Sequence, residues 1–214
     1  MMMEEQLDFI LVPLGLTLMM GYHLWFLYYI THHPKKTAIS INSINRQIWV
    51  QAMMEDTSKN GVCAVQTLRN NIMASSLVVT TSIMFTSIIV TLMTHTSSTV
   101  HMVFLYGNKT ELGLTVKLFS IVACIFLAIL LNILSVRYYS EASSLIQVKG
   151  EKGGSDILMV ERMVNMGNHF WTVGLRLLYG SFTLFMWLFG PIVMFLCSVL
   201  LTAMLYFLDV CCVL

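Results

Sequence analysis

Gln66, Arg69, Ser76, Thr80, Ser87 and Thr91 are residues whose types and spacing could replace water around an ion. Counted at 100° per residue from Arg69 at 0°, Gln66 falls at about 60°, Ser76 at about −20°, Thr80 at about 20°, Ser87 at about 0° and Thr91 at about 40°. One helix face therefore carries a polar line from a charged mouth through a long apolar stretch. Gln66 and Arg69 offer N–H donors and positive charge, and the hydroxyls continue the line. Lys117 and Arg176 add cations at the ends of other apolar runs, and no carboxylate lies deep in any of them. Cationic mouths without an acidic ring suit anions better than cations. Two plainer readings stand beside this one. Small hydroxyl residues let helices approach and hydrogen-bond to each other or to their own backbone, and an arginine at a cytoplasmic helix end reaches toward lipid phosphates.

Catalytic chemistry finds less support. The six histidines (His23, His32, His33, His95, His101, His169) are scattered, and the five cysteines (Cys63, Cys124, Cys197, Cys211, Cys212) show no paired ligand spacing. There is no nucleophile elbow, no phosphate-cradling or dinucleotide glycine loop, and no acid pair within a span for proton coupling. No enzyme, metal or cofactor is expected, and a net charge of +1 excludes a general nucleic-acid binder. The terminal Cys211-Cys212-Val213-Leu214 fits a prenylation pattern, which requires a cytosolic end.

These residues must be held by membrane helices. Of the 214 residues, 57% are hydrophobic and 11% charged, far from the roughly 25% charged residues of a soluble domain. A helix needs about 20 mostly apolar residues to cross a bilayer core of about 30 Å. Residues 7–30, 72–93, 112–136 and 175–208 qualify, so the expected architecture is an all-α polytopic membrane protein with four transmembrane helices in a single domain, 1–214. The acidic flank of the first run (Glu4, Glu5, Asp8) and its length mark an anchor rather than a removable signal. Ten of the twelve basic residues fall in segments 31–71 and 137–174 or just beyond, which the positive-inside rule places in the cytoplasm. Both termini are then expected on the non-cytoplasmic side. The Asn108-Lys109-Thr110 glycosylation pattern between the second and third spans agrees with that side.

Ile41, Ile44, Ile48, Trp49 and Ala52 repeat at helical spacing, which predicts an amphipathic helix lying at the inner membrane surface or packing on a neighbouring subunit. Gly150 to Gly154 reads as a solvated linker, and Ile157, Val160, Val164 and Gly167 predict a second cytoplasmic helix. The last apolar run, 175–208, would make a helix of roughly 50 Å, too long for the bilayer. Gly190-Pro191 in its middle predicts a kink or break and a candidate hinge. A re-entrant pair would instead return the C-terminus to the cytoplasm.

Several phrases in order, Val12-Pro13-Leu14-Gly15-Leu16, Gly21-Tyr22-His23, Ile41-Asn42 to Asn45-Arg46 with Trp49-Val50, Ala64-Val65-Gln66-Thr67-Leu68-Arg69-Asn70 with Ile72-Met73-Ala74-Ser75, and Trp187-Leu188-Phe189-Gly190-Pro191, resemble a plant and bacterial family of membrane proteins catalogued as a domain of unknown function (DUF family 599). The resemblance implies a plant-type protein in a secretory-system membrane, and it carries no activity and no catalytic residues. The chain departs from the family pattern at Leu178-Tyr179-Gly180-Ser181-Phe182, where an Ala-Leu-Pro-rich stretch is usual.

The expectation is a homo-oligomeric ion channel, anions favoured, with the second span lining the pore. It would lie in the plasma membrane or another secretory-pathway membrane. The competing class is a non-conducting scaffold or adaptor that binds lipids or partner proteins.

Overall fold

The computed structural model describes residues 2–32, 37–96, 111–147 and 153–210. These form six helices: α1 (Met2–His32), α2 (Ala38–Glu55), α3 (Thr57–Thr96), α4 (Glu111–Gln147), α5 (Gly153–Met186) and α6 (Pro191–Asp209). Four segments are long and apolar enough to cross a membrane: Asp8–His32, Thr57–Thr91, Gly113–Gln147 and Pro191–Asp209. The all-α, four-span architecture is therefore as expected. Asn108 and Cys211 to Leu214, for which glycosylation and prenylation were considered, lie outside the described residues.

Local chemistry sets several boundaries. Thr37 caps α2, its Oγ1 accepting the Ser40 N–H at 3.4 Å. Asp56 alone separates α2 from α3, accepting the Lys59 N–H at 3.2 Å and the Ser58 hydroxyl at 2.6 Å; these two bonds, the Ser58 one foremost, hold its carboxyl below the usual carboxylate range. From that cap α3 runs unbroken for 40 residues, roughly 60 Å at 1.5 Å per residue, so it outreaches the bilayer core.

The interruption at Gly190-Pro191 is a full break. The end of α5 tightens into i→i−3 bonds, from Trp187 N–H to Leu184 O at 3.1 Å through Gly190 N–H to Trp187 O at 3.2 Å. Gly190 then adopts φ 134°, ψ 160°, and Pro191 opens α6 at its first turn. A side chain at that positive φ would be strained, and proline's missing N–H costs nothing at a helix start. The cytoplasmic helix expected near residue 157 and the first part of the expected span 175–208 are thus one helix, α5, and the last span begins only at Pro191.

The chain divides into two compact units. Unit 1 comprises Met1–Ser40, Phe85–Phe126 and Leu177–Leu214; unit 2 comprises Ile41–Met84 and Leu127–Arg176.

In unit 1, α1 packs along α6. Asp8 meets Trp187, Gly15 meets Ser198, Tyr22 meets Asp209 and Trp25 meets Tyr206. Numbers rise together on both helices, so α1 and α6 are parallel. The end of α5 runs the other way, with Tyr179 against the Tyr22–Phe26–Leu205 cluster, Gly180 against Met19 and Trp187 at Asp8. Hence α5 and α6 form an antiparallel pair turned at Gly190. Asp8 and Asp209 fall at opposite ends of this unit, and Ile39, at the start of α2, packs at the Asp209 end.

In unit 2 the core consists of Val50, Ala64, Leu68, Tyr139, Ala142, Ile146, Val160 and Val164. Here α4 and α5 run antiparallel at close range. Ser135 donates to Gly167 O at 2.8 Å, a Cβ on Gly167 would lie 2.9 Å from the Tyr139 ring, and one on Gly174 would collide with Asn132 Nδ2. Trp49 of α2 packs on this core rather than facing outward, while Ile44 and Ile48 remain exposed.

Candidate functional site

On α3, Ala64, Leu68, Ser75, Ser82 and Ile89 are buried. They fall at about −100° to −160° from Arg69, so this is the face that packs within the chain. Gln66, Arg69, Ser76, Thr80, Ser87 and Thr91 are all exposed, on the opposite side. The structure therefore brings the six residues into one line and leaves that line uncovered by its own protomer.

The hydroxyls on this line have a definite state. Thr80 donates to Ser76 O at 3.0 Å and Thr91 to Ser87 O at 2.9 Å, each one turn back on the helix. Such threonines turn lone pairs outward rather than donors. Thr80 and Thr91 thus spend their donors on the helix itself, and the side-chain N–H donors of the line belong to Gln66 and Arg69 at one end. Beside Gln66 and Arg69 a groove of about 440 Å³ opens next to the last turn of α4, lined among others by these two residues, Val65, Ile146 and Gln147.

The other mouth cations behave differently. Lys117 is 3% exposed, with Nζ 3.7 Å from Asp8 Oδ2 and 5.1 Å from the centre of the Trp187 ring. Trp187 Nε1 also donates to Asp8 Oδ1 at 3.0 Å. A buried, neutralised lysine is not a mouth charge, which corrects that assignment. Arg176 is half-buried on α5 and engaged in an interaction of its own; with the last span beginning at Pro191, it does not head that span. Gly190 and Pro191 are buried at the break itself.

Sequence reasoning passed over Arg46. Its Nε donates to Asn165 Oδ1 at 3.1 Å, and Ser43 donates to the same oxygen at 3.2 Å. Asn168, its amide oriented with the oxygen toward the guanidinium, accepts from Nη1 and Nη2 at 3.3 Å. Burial pulls the Arg46 guanidinium below its ordinary range, and burial followed by the nearby Arg46 charge lowers His169. The only available signal was an arginine on α2 and two asparagines one turn apart on α5.

A family model described as "Protein of unknown function, DUF599" matches residues 10–213. The chain belongs to the DUF599 family. No curated protein and no solved structure matches it. The matched stretch contains the whole α3 line and the Arg46 cluster, so both lie within the DUF599 portion of the chain, whose family description assigns neither of them a role.

Proposed function

We propose that this DUF599 chain assembles as a homo-oligomeric channel for inorganic ions, favouring anions, with α3 lining the path. One observation carries the reading: the six polar residues of α3 stand on the face that its own protomer leaves uncovered, opposite the packed face. A polar line turned away from its own fold is expensive against lipid and is relieved when copies surround an axis. Arg69 supplies the positive charge of the line and, with Gln66, its N–H donors, which favours anions, while Thr80 and Thr91 offer lone pairs. The host is the plasma membrane or another membrane of the secretory system. The basic segment around α2 faces the cytoplasm by the positive-inside rule. Since α6 runs parallel to α1, the last turn of α6 then reaches the cytoplasmic side and α5 makes an additional outward passage.

The test is cysteine substitution at Ser76, Thr80, Ser87 and Thr91 in reconstituted liposomes that conduct. A water-soluble thiol reagent labels all four if the line is wet. Protection of all four during conduction sinks the pore and leaves a seam between copies of a non-conducting scaffold. Arg69→Glu shifts the reversal potential toward cation selectivity.

A further inference from the structure

A guanidinium half-removed from water calls for an anion, and the ionisable groups that act on Arg46 among the described residues, Tyr139 and His169, are a phenol and an imidazole rather than carboxylates. Its only hydrogen-bond partners among the described residues are the neutral amides of Asn165 and Asn168. No described carboxylate forms an ion pair with it. Neutral amides fix the orientation of the planar fork without cancelling its charge. Of five guanidinium N–H groups, Asn165 takes one and Asn168 takes one from each Nη, so two remain.

We propose that Arg46, oriented by Asn165 and Asn168, is the centre of a binding site for a phosphate group, carried by a lipid headgroup or as free phosphate. This inference is independent of whether the chain conducts ions. Arginine N–H donors meet phosphate oxygens in charge-assisted bonds. His169, on α5 one turn after Asn165, adds a further polar group at the rim. Access is open, because Arg46, Asn165 and Asn168 are each only partly buried. Ser43 holds Asn165 from the α2 side, so the amides are placed before any ligand arrives.

The experiment uses the full chain in detergent, titrated with inorganic phosphate against chloride of equal ionic strength. In parallel, its thermal stability is followed in phosphatidylcholine vesicles with and without phosphatidic acid. Phosphate is expected to bind wild type and to weaken about ten- to a hundredfold in Arg46→Met, the scale of losing charge-assisted bonds. Arg46→Lys, which keeps the charge and the fold but loses the fork, falls between. Arg162→Met, an exposed arginine on α5, leaves binding unchanged. Stabilisation by phosphatidic acid alone assigns the site to a headgroup; binding of inorganic phosphate alone assigns it to the free ion. The proposal is overturned if neither probe distinguishes folded Arg46→Lys from wild type.

Discussion

Tyr22 gives its phenolic hydrogen to Asp209 Oδ2 at 2.7 Å, and both side chains are buried. The bond ties the middle of α1 to the last turn of α6. Replacing Tyr22 by Phe removes a hydrogen bond to a buried carboxylate, a loss of about 1.5–3 kcal/mol. Thermal unfolding in detergent should show a clearly lower midpoint for Tyr22→Phe. Asp209→Asn keeps an acceptor oxygen and should fall less.

The Asp8–Lys117 pair predicts a strong pairwise effect. Removing one member strands the other charge out of water, which costs about 3–5 kcal/mol. Asp8→Leu and Lys117→Met should each be severe, and the double variant should recover much of the loss. The Trp187 bond to Asp8 remains lost in that double variant, so recovery stays incomplete. A double-mutant cycle measured by thermal melting reads the coupling; additive losses would show that the two charges do not support each other.

Glycine substitutions separate close approach from open space. Gly174→Ala drives a methyl into Asn132 Nδ2, whose own amide is held by Ala128 O at 2.8 Å. Overpacking of this kind destabilises by about 1–3 kcal/mol. Gly21→Ala meets nothing within 4 Å and should hold or raise the melting temperature, by up to about 1 kcal/mol. Equal effects at both positions would contradict the α4–α5 contact.

His169 sets a pH dependence. Burial and the neighbouring Arg46 lower its pKa in the folded state from 6.5, whereas the unfolded chain takes the proton near about 6.5. The unfolded state therefore binds more protons below that value, so stability is complete above it and is lost as the pH falls through the folded pKa. Melting curves from pH 8 to pH 5 should decline on the acid side, and His169→Gln should flatten that decline.

Much of this fold is legible along the chain. The run of apolar residues locates the long helices, and the 100° count from Arg69 finds the free face of α3 without any knowledge of the packed one. Gly190-Pro191 announces the break, because proline's geometry is local. The direction of α6 is not local: a stretch such as Ile192 to Leu208 is apolar whichever neighbour it meets, and contacts across the fold such as Gly15–Ser198 and Tyr22–Asp209 reveal it. Lys117 misleads for the same reason. Its partner Asp8 is far away in sequence, and a lone lysine near a span end looks identical whether it is solvated or neutralised. Arg46 is silent until Asn165 and Asn168 are seen facing it.

The close fit of Gly15 against Ser198 has a consequence for biogenesis. Among these helices α1 leaves the ribosome first and α6 last, so the groove that receives Ser198 must wait while every intervening helix is made. Closing that contact late leaves α1 incompletely packed until α6 has been made, so unit 1 cannot finish assembling before α6 emerges.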